Sequence, residues 1–185
     1  MILTDREIQA AIEAHQITIE PRPDSSAYSS TSLDLKLSKS LQVWKREPVA
    51  GVEKIVCPAT SGYSYADFVK EYSETKEMTL DGYVLEPKAF VLGWTEESVE
   101  LPTNSRLAAR VEGKSSLARL GIGVHITAPT IHAGFTGVIQ LEICNHGSLK
   151  VKLVPQMRVC QLIFEQTLGT PDKGYKGQFF GQVPK

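Results

Sequence analysis

The sequence predicts an all-β protein with minor helices, a sandwich or a barrel. Three observations carry that expectation. Short apolar runs recur along the second half of the chain, Gly and Pro fall between them, and Leu33, Leu35 and Leu37 alternate with Asp34, Lys36 and Ser38. Many short strands at turn-punctuated spacing are the pattern of closed or double-sheet β architectures, and alternation with period 2 marks a strand with one apolar face.

From the N-terminus, Thr4-Asp5-Arg6-Glu7 has the spacing of a capping box, and Ile8, Ala11 and Ile12 continue at helical intervals, so a short helix is expected to end near His15. Pro21, Pro23, Asp24 and the Ser-rich run to Ser32 read as loop. Leu33 to Leu37 reads as a half-buried strand, and Leu41 and Val43 extend a second one. From Lys45 to Gly82 polarity rises and the period weakens, the signature of an insertion, with a short helix over Tyr65 to Tyr72. Strands are then expected at Tyr83 to Leu85, Ala89 to Thr95, Ser105 to Val111, Gly123 to Thr127, Val138 to Cys144, Lys150 to Leu153 and Arg158 to Phe164. The tail from Leu168 to Lys185 is too polar for core and reads either as a lid or as a frayed terminus.

A chain of 185 residues buries enough surface for one domain, residues 1–185, with the insertion at about 45–82 and the tail at about 168–185. Twenty Lys and Arg against twenty-one Asp and Glu leave a formal charge of -1, so no global basic field points to nucleic acid or an anionic membrane. No apolar run approaches the ~20 residues of a membrane span, and the charged start is unlike a secretory leader. A cytoplasmic protein is the expectation. Cys57, Cys144 and Cys160 are too widely spaced for a metal knuckle and odd in number for a disulfide framework, so they read as buried reduced thiols.

Two segments concentrate chemistry. In RVEGKSSLARLG, Arg110 to Gly121, a strand gives way to a short helix beside Gly113, Lys114, Ser115, Ser116 and Arg119. Free N–H groups, hydroxyls and bases suit phosphate, though the run lacks the first glycine of a full P-loop and also fits an ordinary capped turn. In the apolar run Val138 to Cys144, Glu142 shares a face with Gln140 and opposes Leu141 and Ile143, so its carboxylate faces either solvent or a pocket. His15, His125, His132 and His146 form no i, i+4 pair, and the His-x-Glu with Pro-Cys-x-x-Cys of zinc deaminases is absent. His125 lies in an apolar run and reads as a core residue, whereas His132 sits in a turn.

Taken in order, Arg110 to Gly121, His125 to Ala128, Gly134 to Gly137 and Gln140 to Glu142 resemble the dCTP deaminases of the dUTPase superfamily. Ser32 to Leu37, Glu86 to Leu92, and Gln161 with Tyr175 and Gln178 resemble further family segments; the stretch from Lys45 to Gly82 does not. The resemblance implies a distorted jelly roll or β-barrel of the dUTPase-like type, assembled as a homotrimer with sites between subunits. It implies dCTP as substrate, dTTP as a candidate inhibitor, and Mg²⁺ entering with the triphosphate, with no zinc. Glu142 then resembles the catalytic glutamate, Ser115 and the backbone of Ala128 resemble the groups that hold the attacking water, and Arg119 resembles the arginine beside it. Lys114, Ser116, Leu117, Ala118, Ile131, His132, Gln140, Leu141, Gln161, Tyr175 and Gln178 fall at substrate-binding positions. Where relatives carry Ile-Asp before Gly-Phe or Gly-Tyr, this chain has Ile131-His132. That aspartate faces the deoxyribose and, in dUTPases, orients the water that attacks phosphorus, so its replacement argues against diphosphate release. The expected reaction is dCTP to dUTP and ammonia; the alternatives are a bifunctional enzyme giving dUMP and diphosphate, and a non-catalytic nucleotide-binding paralogue.

Overall fold

The computed structural model describes residues 1–45 and 55–175. Strands dominate: β1 (Thr18–Glu20), β2 (Tyr28–Ser29), β3 (Ser32–Trp44), β4 (Ser73–Glu77), β5 (Tyr83–Leu85), β6 (Phe90–Glu100), β7 (Leu107–Gly113), β8 (Ile122–Gly123), β9 (Thr130–Ile131), β10 (Thr136–Asn145), β11 (Val151–Leu153) and β12 (Arg158–Gln166). Among the described residues three α-helices accompany them: α1 (Asp5–Glu13), α2 (Tyr65–Tyr72) and α3 (Ser115–Ala118). The main sheet runs β8-β10-β6-β3-β12-β7-β9, with β1 on β6 and both β2 and β4 on β3, while β5 and β11 form a separate pair.

Strand β3 ties the architecture together. Its first half pairs with β12, Leu33 opposite Leu162 and Lys36 opposite Arg158, and its second half pairs with β6, Leu37 opposite Thr95 and Val43 opposite Val91. The register shifts between Leu37 and Leu41, so one strand serves two differently directed parts of the sheet through an irregularity. A similar shift falls between Val138 and Gln140 on β10. There the Thr95 hydroxyl accepts from the Ile139 N–H at 2.9 Å and donates to the Glu97 carbonyl at 2.7 Å, which satisfies the backbone group the shift displaces.

The core lies between the sheet's inner faces, where Leu33, Leu35, Leu37, Leu41, Leu141, Ile143, Leu162 and Phe164 are almost wholly buried. Burying each such side chain contributes roughly 1.5–3 kcal/mol. Helix α1 adds Ile8, Ala11 and Ile12, and the Thr4 N–H donates to the Glu7 carboxylate at 3.1 Å, the reach-back expected of the capping box. The helix ends at Glu13, with His15 in the left-handed region at φ 54°.

Four expectations need correction. Strand β3 is not half-buried: Asp34, Ser38, Ser40 and Gln42 are buried as well, because the strand has neighbours on both sides and other segments over its polar face. The expected strand Gly123 to Thr127 stops at Gly123, since Ile126 bonds a side chain rather than a neighbouring strand. His125 is consequently half-buried in a loop, not a core residue. Cys57 is exposed, in a polar stretch that offers no core to receive it, whereas Cys144 and Cys160 are buried. Within the described part of the expected insertion, α2 forms as predicted, and β4 adds a strand to β3 from Ser40↔Glu77 to Trp44↔Ser73. No helix among the described residues is long and apolar enough to cross a membrane.

Candidate active site

Glu142 stands on β10, cross-strand from Leu92 of β6, with Leu141 and Ile143 turned into the core. Alternation therefore sends Gln140 and Glu142 to the opposite face, where both line a cavity of about 460 Å³. The segment after β8 folds over this face. The Glu142 N–H donates to the Val124 carbonyl at 3.0 Å, and the Glu142 Oε2 accepts from the Ile126 N–H at 2.7 Å. One carboxylate oxygen is thereby fixed by backbone, in a charge-assisted bond that orients the group. Ala128, two residues further on, lines the same cavity. Burial, and then the charge of Glu142, raise the Cys144 thiol, so it stays protonated on the same strand.

The far wall is the turn after β9. Ile131 and His132 line the cavity, and the His132 ring stacks on Tyr175 with centroids 5.8 Å apart and planes at 18°. Phe135 meets the same Tyr175 ring at 6.0 Å. The Tyr175 N–H donates to the Ala133 carbonyl at 2.9 Å, which brings this part of the tail against the turn. Gly134 permits the approach: it sits at φ +88°, and a Cβ there would lie 2.7 Å from the Tyr175 nitrogen.

A second group lies elsewhere. The cavity's lining contains none of Lys114 to Arg119 and not Gln161. Gln161 on β12 is flanked by Asp34 on β3 and Glu112 on β7; its Oε1 accepts from the Ser32 hydroxyl at 2.8 Å and its Nε2 donates to the Gly113 carbonyl at 3.2 Å. Lys114 Nζ is held 2.6 Å from Asp34 Oδ2, and Arg158 Nη1 stands 3.9 Å from the same oxygen. Asp34 Oδ1 is buried without a hydrogen-bond partner among the described residues. Beyond Lys114, the single turn of α3 leaves Ser115, Ser116, Ala118 and Arg119 exposed, with Leu117 half-buried. These are hydroxyls, backbone groups and a guanidinium facing outward, the donors that phosphate oxygens accept from.

The structure thus unites Glu142, Ala128, Gln140, Leu141, Ile131, His132 and Tyr175 in one cavity, and gathers Lys114, Ser115, Ser116, Leu117, Ala118, Arg119 and Gln161 on another part of the chain. Gln178 lies outside the described residues. Sequence reasoning missed three groups. Trp44 lines the cavity from the end of β3 and Tyr65 from the polar stretch, where the density of aromatics around α2 was the available signal. His125 also lines it, with its Nδ1 buried and without a hydrogen-bond partner among the described residues and its Nε2 3.9 Å from Glu112 Oε2. Asp34, paired to Lys114, was legible only as a polar position in an alternating strand.

Comparison with known proteins gives the family and the fold. The family model described as dCTP deaminase-like matches residues 2–167. A dCTP deaminase of Marinomonas sp. (strain MWYL1) is 37% identical over 177 residues, covering 95% of this chain and 88% of its own. A protein of Tropheryma whipplei (strain Twist) named dCTP deaminase, dUMP-forming, is 40% identical over 177 residues, covering 96% of this chain and 83% of its own. Among solved structures, the 2'-deoxycytidine 5'-triphosphate deaminase of Agrobacterium tumefaciens superposes with a TM-score of 0.66 at 24% identity, covering 88% of this chain but 47% of that longer one. A mutant dUTPase from phage phi11 of S. aureus superposes at 0.50 with 10% identity, covering 89% of this chain and 99% of that one. The curled, mostly antiparallel sheet is therefore the dUTPase-like fold, and the chain belongs to the dCTP deaminase-like family.

Proposed function

We propose that this protein deaminates dCTP to dUTP and ammonia, with Glu142 as the proton-transferring group. The observation that carries the reading is the placement of Glu142: a carboxylate on the wall of a cavity, one oxygen fixed by the Ile126 N–H at 2.7 Å, with Ala128 alongside. A water between that carboxylate and the Ala128 backbone would add to C4 of the cytosine. Its proton passes to Glu142 as the C4–O bond forms and the C4=N3 electrons move to N3, and Glu142 then protonates N3. The second proton of the added water goes to the departing amino group, C4–N4 breaks, and ammonia leaves as the C4 carbonyl forms. Holding carboxylate and water together lowers the entropic cost of the attack.

The separation of the two residue groups supports a homotrimer. Ser115 and Arg119 do not line the cavity of their own chain, so in this reading the exposed α3 segment of one copy closes the cavity of the next, bringing a hydroxyl to the water and bases to the phosphates. Lys114, Ser116 and Gln161 would face the triphosphate and sugar, and Ile131, His132 and Tyr175 the deoxyribose end. Residues 1–185 then act as one catalytic domain, the 45–82 stretch being an insertion upon it. Magnesium would arrive chelated by the triphosphate. The donor set at α3 is basic and hydroxylic, which fits phosphate oxygens, and no cluster of three or more His, Cys, Asp or Glu suited to a metal occurs among the described residues.

His132 supports dUTP as the final product, because a neutral imidazole has one acceptor and one donor where a carboxylate accepts from both a sugar hydroxyl and a water. The names of relatives such as the 40% identical Tropheryma protein favour a second reading, in which reaction continues to dUMP and diphosphate. Incubation with each dNTP and Mg²⁺, with products resolved chromatographically, separates the two. dUTP with ammonia supports the first, dUMP with diphosphate the second, and an unchanged dCTP peak overturns both.

A further inference from the structure

We infer that Tyr65 and Trp44 form an aromatic wall of the base subsite, a substrate-contacting surface supplied by α2 and the end of β3. The inference rests on the deaminase reading for its substrate, a pyrimidine ring, but on separate residues for its geometry. Helix α2 carries Tyr65, Phe68, Val69 and Tyr72 at i, i+3, i+4 and i+7, a single stripe. Along this stripe Val69 is buried, and Phe68 stacks on Tyr72 at 4.8 Å and meets Trp44 at 5.6 Å. Tyr65, at the first position of the helix, lines the cavity with Glu142, and so does Trp44 at the end of β3.

The placement is firmly built. The Ser64 hydroxyl accepts from the Asp67 N–H at 3.2 Å to cap α2, and the helix runs directly into β4, which pairs with β3 as far as Trp44↔Ser73. The buried Gln42 side chain donates to Ser73 Oγ at 2.8 Å, and the Ser73 hydroxyl donates to the Val69 carbonyl at 2.6 Å, fixing the far end of the helix to the sheet. Two aromatic side chains are thus held beside the carboxylate that acts on the base. Burial first, then Tyr63 and Glu142, raise the Tyr65 phenol above its ordinary range, so it stays protonated. A flat, neutral aromatic surface next to Glu142 suits stacking on a pyrimidine, which is sequence-tolerant and strong in nucleotide sites.

The test uses the full chain with dCTP. Tyr65→Leu should raise KM about tenfold while kcat stays within about twofold, the split expected when binding is lost equally from ground and transition states. Tyr65→Phe keeps the ring and should recover most of the wild-type KM. A KM within about twofold of wild type in Tyr65→Leu, or a Phe variant no better than Leu, overturns the inference. A second measurement needs no turnover and no folded Tyr65 variant. Of the two tryptophans, Trp44 lines the cavity, whereas Trp94 is buried and does not. Titrating wild type with dCTP or dUTP should quench tryptophan emission, and Trp44→Phe should remove that response. Absence of quenching in wild type overturns the aromatic wall, whereas quenching without ammonia release retains it and refutes only the deaminase reading.

Discussion

Replacing Glu142 by Gln separates chemistry from architecture. Among the described residues the Glu142 carboxylate accepts a hydrogen bond from the Ile126 N–H, at 2.7 Å to Oε2, and a Gln amide oxygen can accept the same bond. The loop from Gly123 to Ala128 should therefore keep its path, and melting temperature should stay within about 3 °C, since exchanging a charged acceptor for a neutral one costs under roughly 1 kcal/mol. What the amide cannot do is take a proton from water. Loss of a positioned general base lowers turnover by about 10² to 10⁴. Ammonia release from saturating dCTP should fall by that factor, while calorimetric titration shows dCTP binding within a few-fold of wild type. Ammonia release near the wild-type rate, with the variant folded, would remove Glu142 from the mechanism.

Four further outcomes are expected. Light scattering should give three times the 20.4 kDa chain mass, and mixing Glu142→Gln with Ser115→Ala chains should restore activity at sites that draw each intact residue from a different copy; a fully active monomer contradicts this. Lys114→Met leaves the buried Asp34 without its 2.6 Å partner and should cost roughly 3 kcal/mol, read as a fall in melting temperature of about 10 °C, whereas no fall would show that Arg158 alone suffices. Glu97 is buried, and desolvation raises its carboxyl above the ordinary 4.5 despite the Lys36 N–H that bonds it. A raised acid makes the folded state hold the proton longer, so stability declines as pH rises from about 4.5; Glu97→Gln should gain on wild type in thermal melts as pH rises above that point, and a pH-independent difference would contradict the assignment. With His132 in place, dCTP or dUTP incubated with the enzyme should release no stoichiometric diphosphate.

Period 2 in the sequence carried much of this layout. Leu141 and Ile143 against Gln140 and Glu142 divided β10 into a core face and another face, and the structure keeps that division. Whether the second face met solvent or a pocket depended on the segment after β8, whose path is set by the Ile126 bond to Glu142 itself and so by a contact sixteen residues away. Periodicity sees only neighbours along the chain. The same limit hid the burial of Asp34, which follows from Lys114 eighty residues on, and the extra strand β4, whose sequence SETKE has no apolar face because it lies at an exposed edge. Tyr65 was lost in the average polarity of its segment, although the aromatics after it at helical spacing marked a face needing a surface to cover.

The most direct test of the account follows oxygen from water. With dCTP and Mg²⁺ in H₂¹⁸O, hydrolytic deamination places one ¹⁸O on the pyrimidine C4 of dUTP and none on phosphorus, as mass spectrometry of base and phosphate fragments would show. Label on phosphorus with the cytosine amino group retained, or dCTP recovered unlabelled and unchanged, would contradict it.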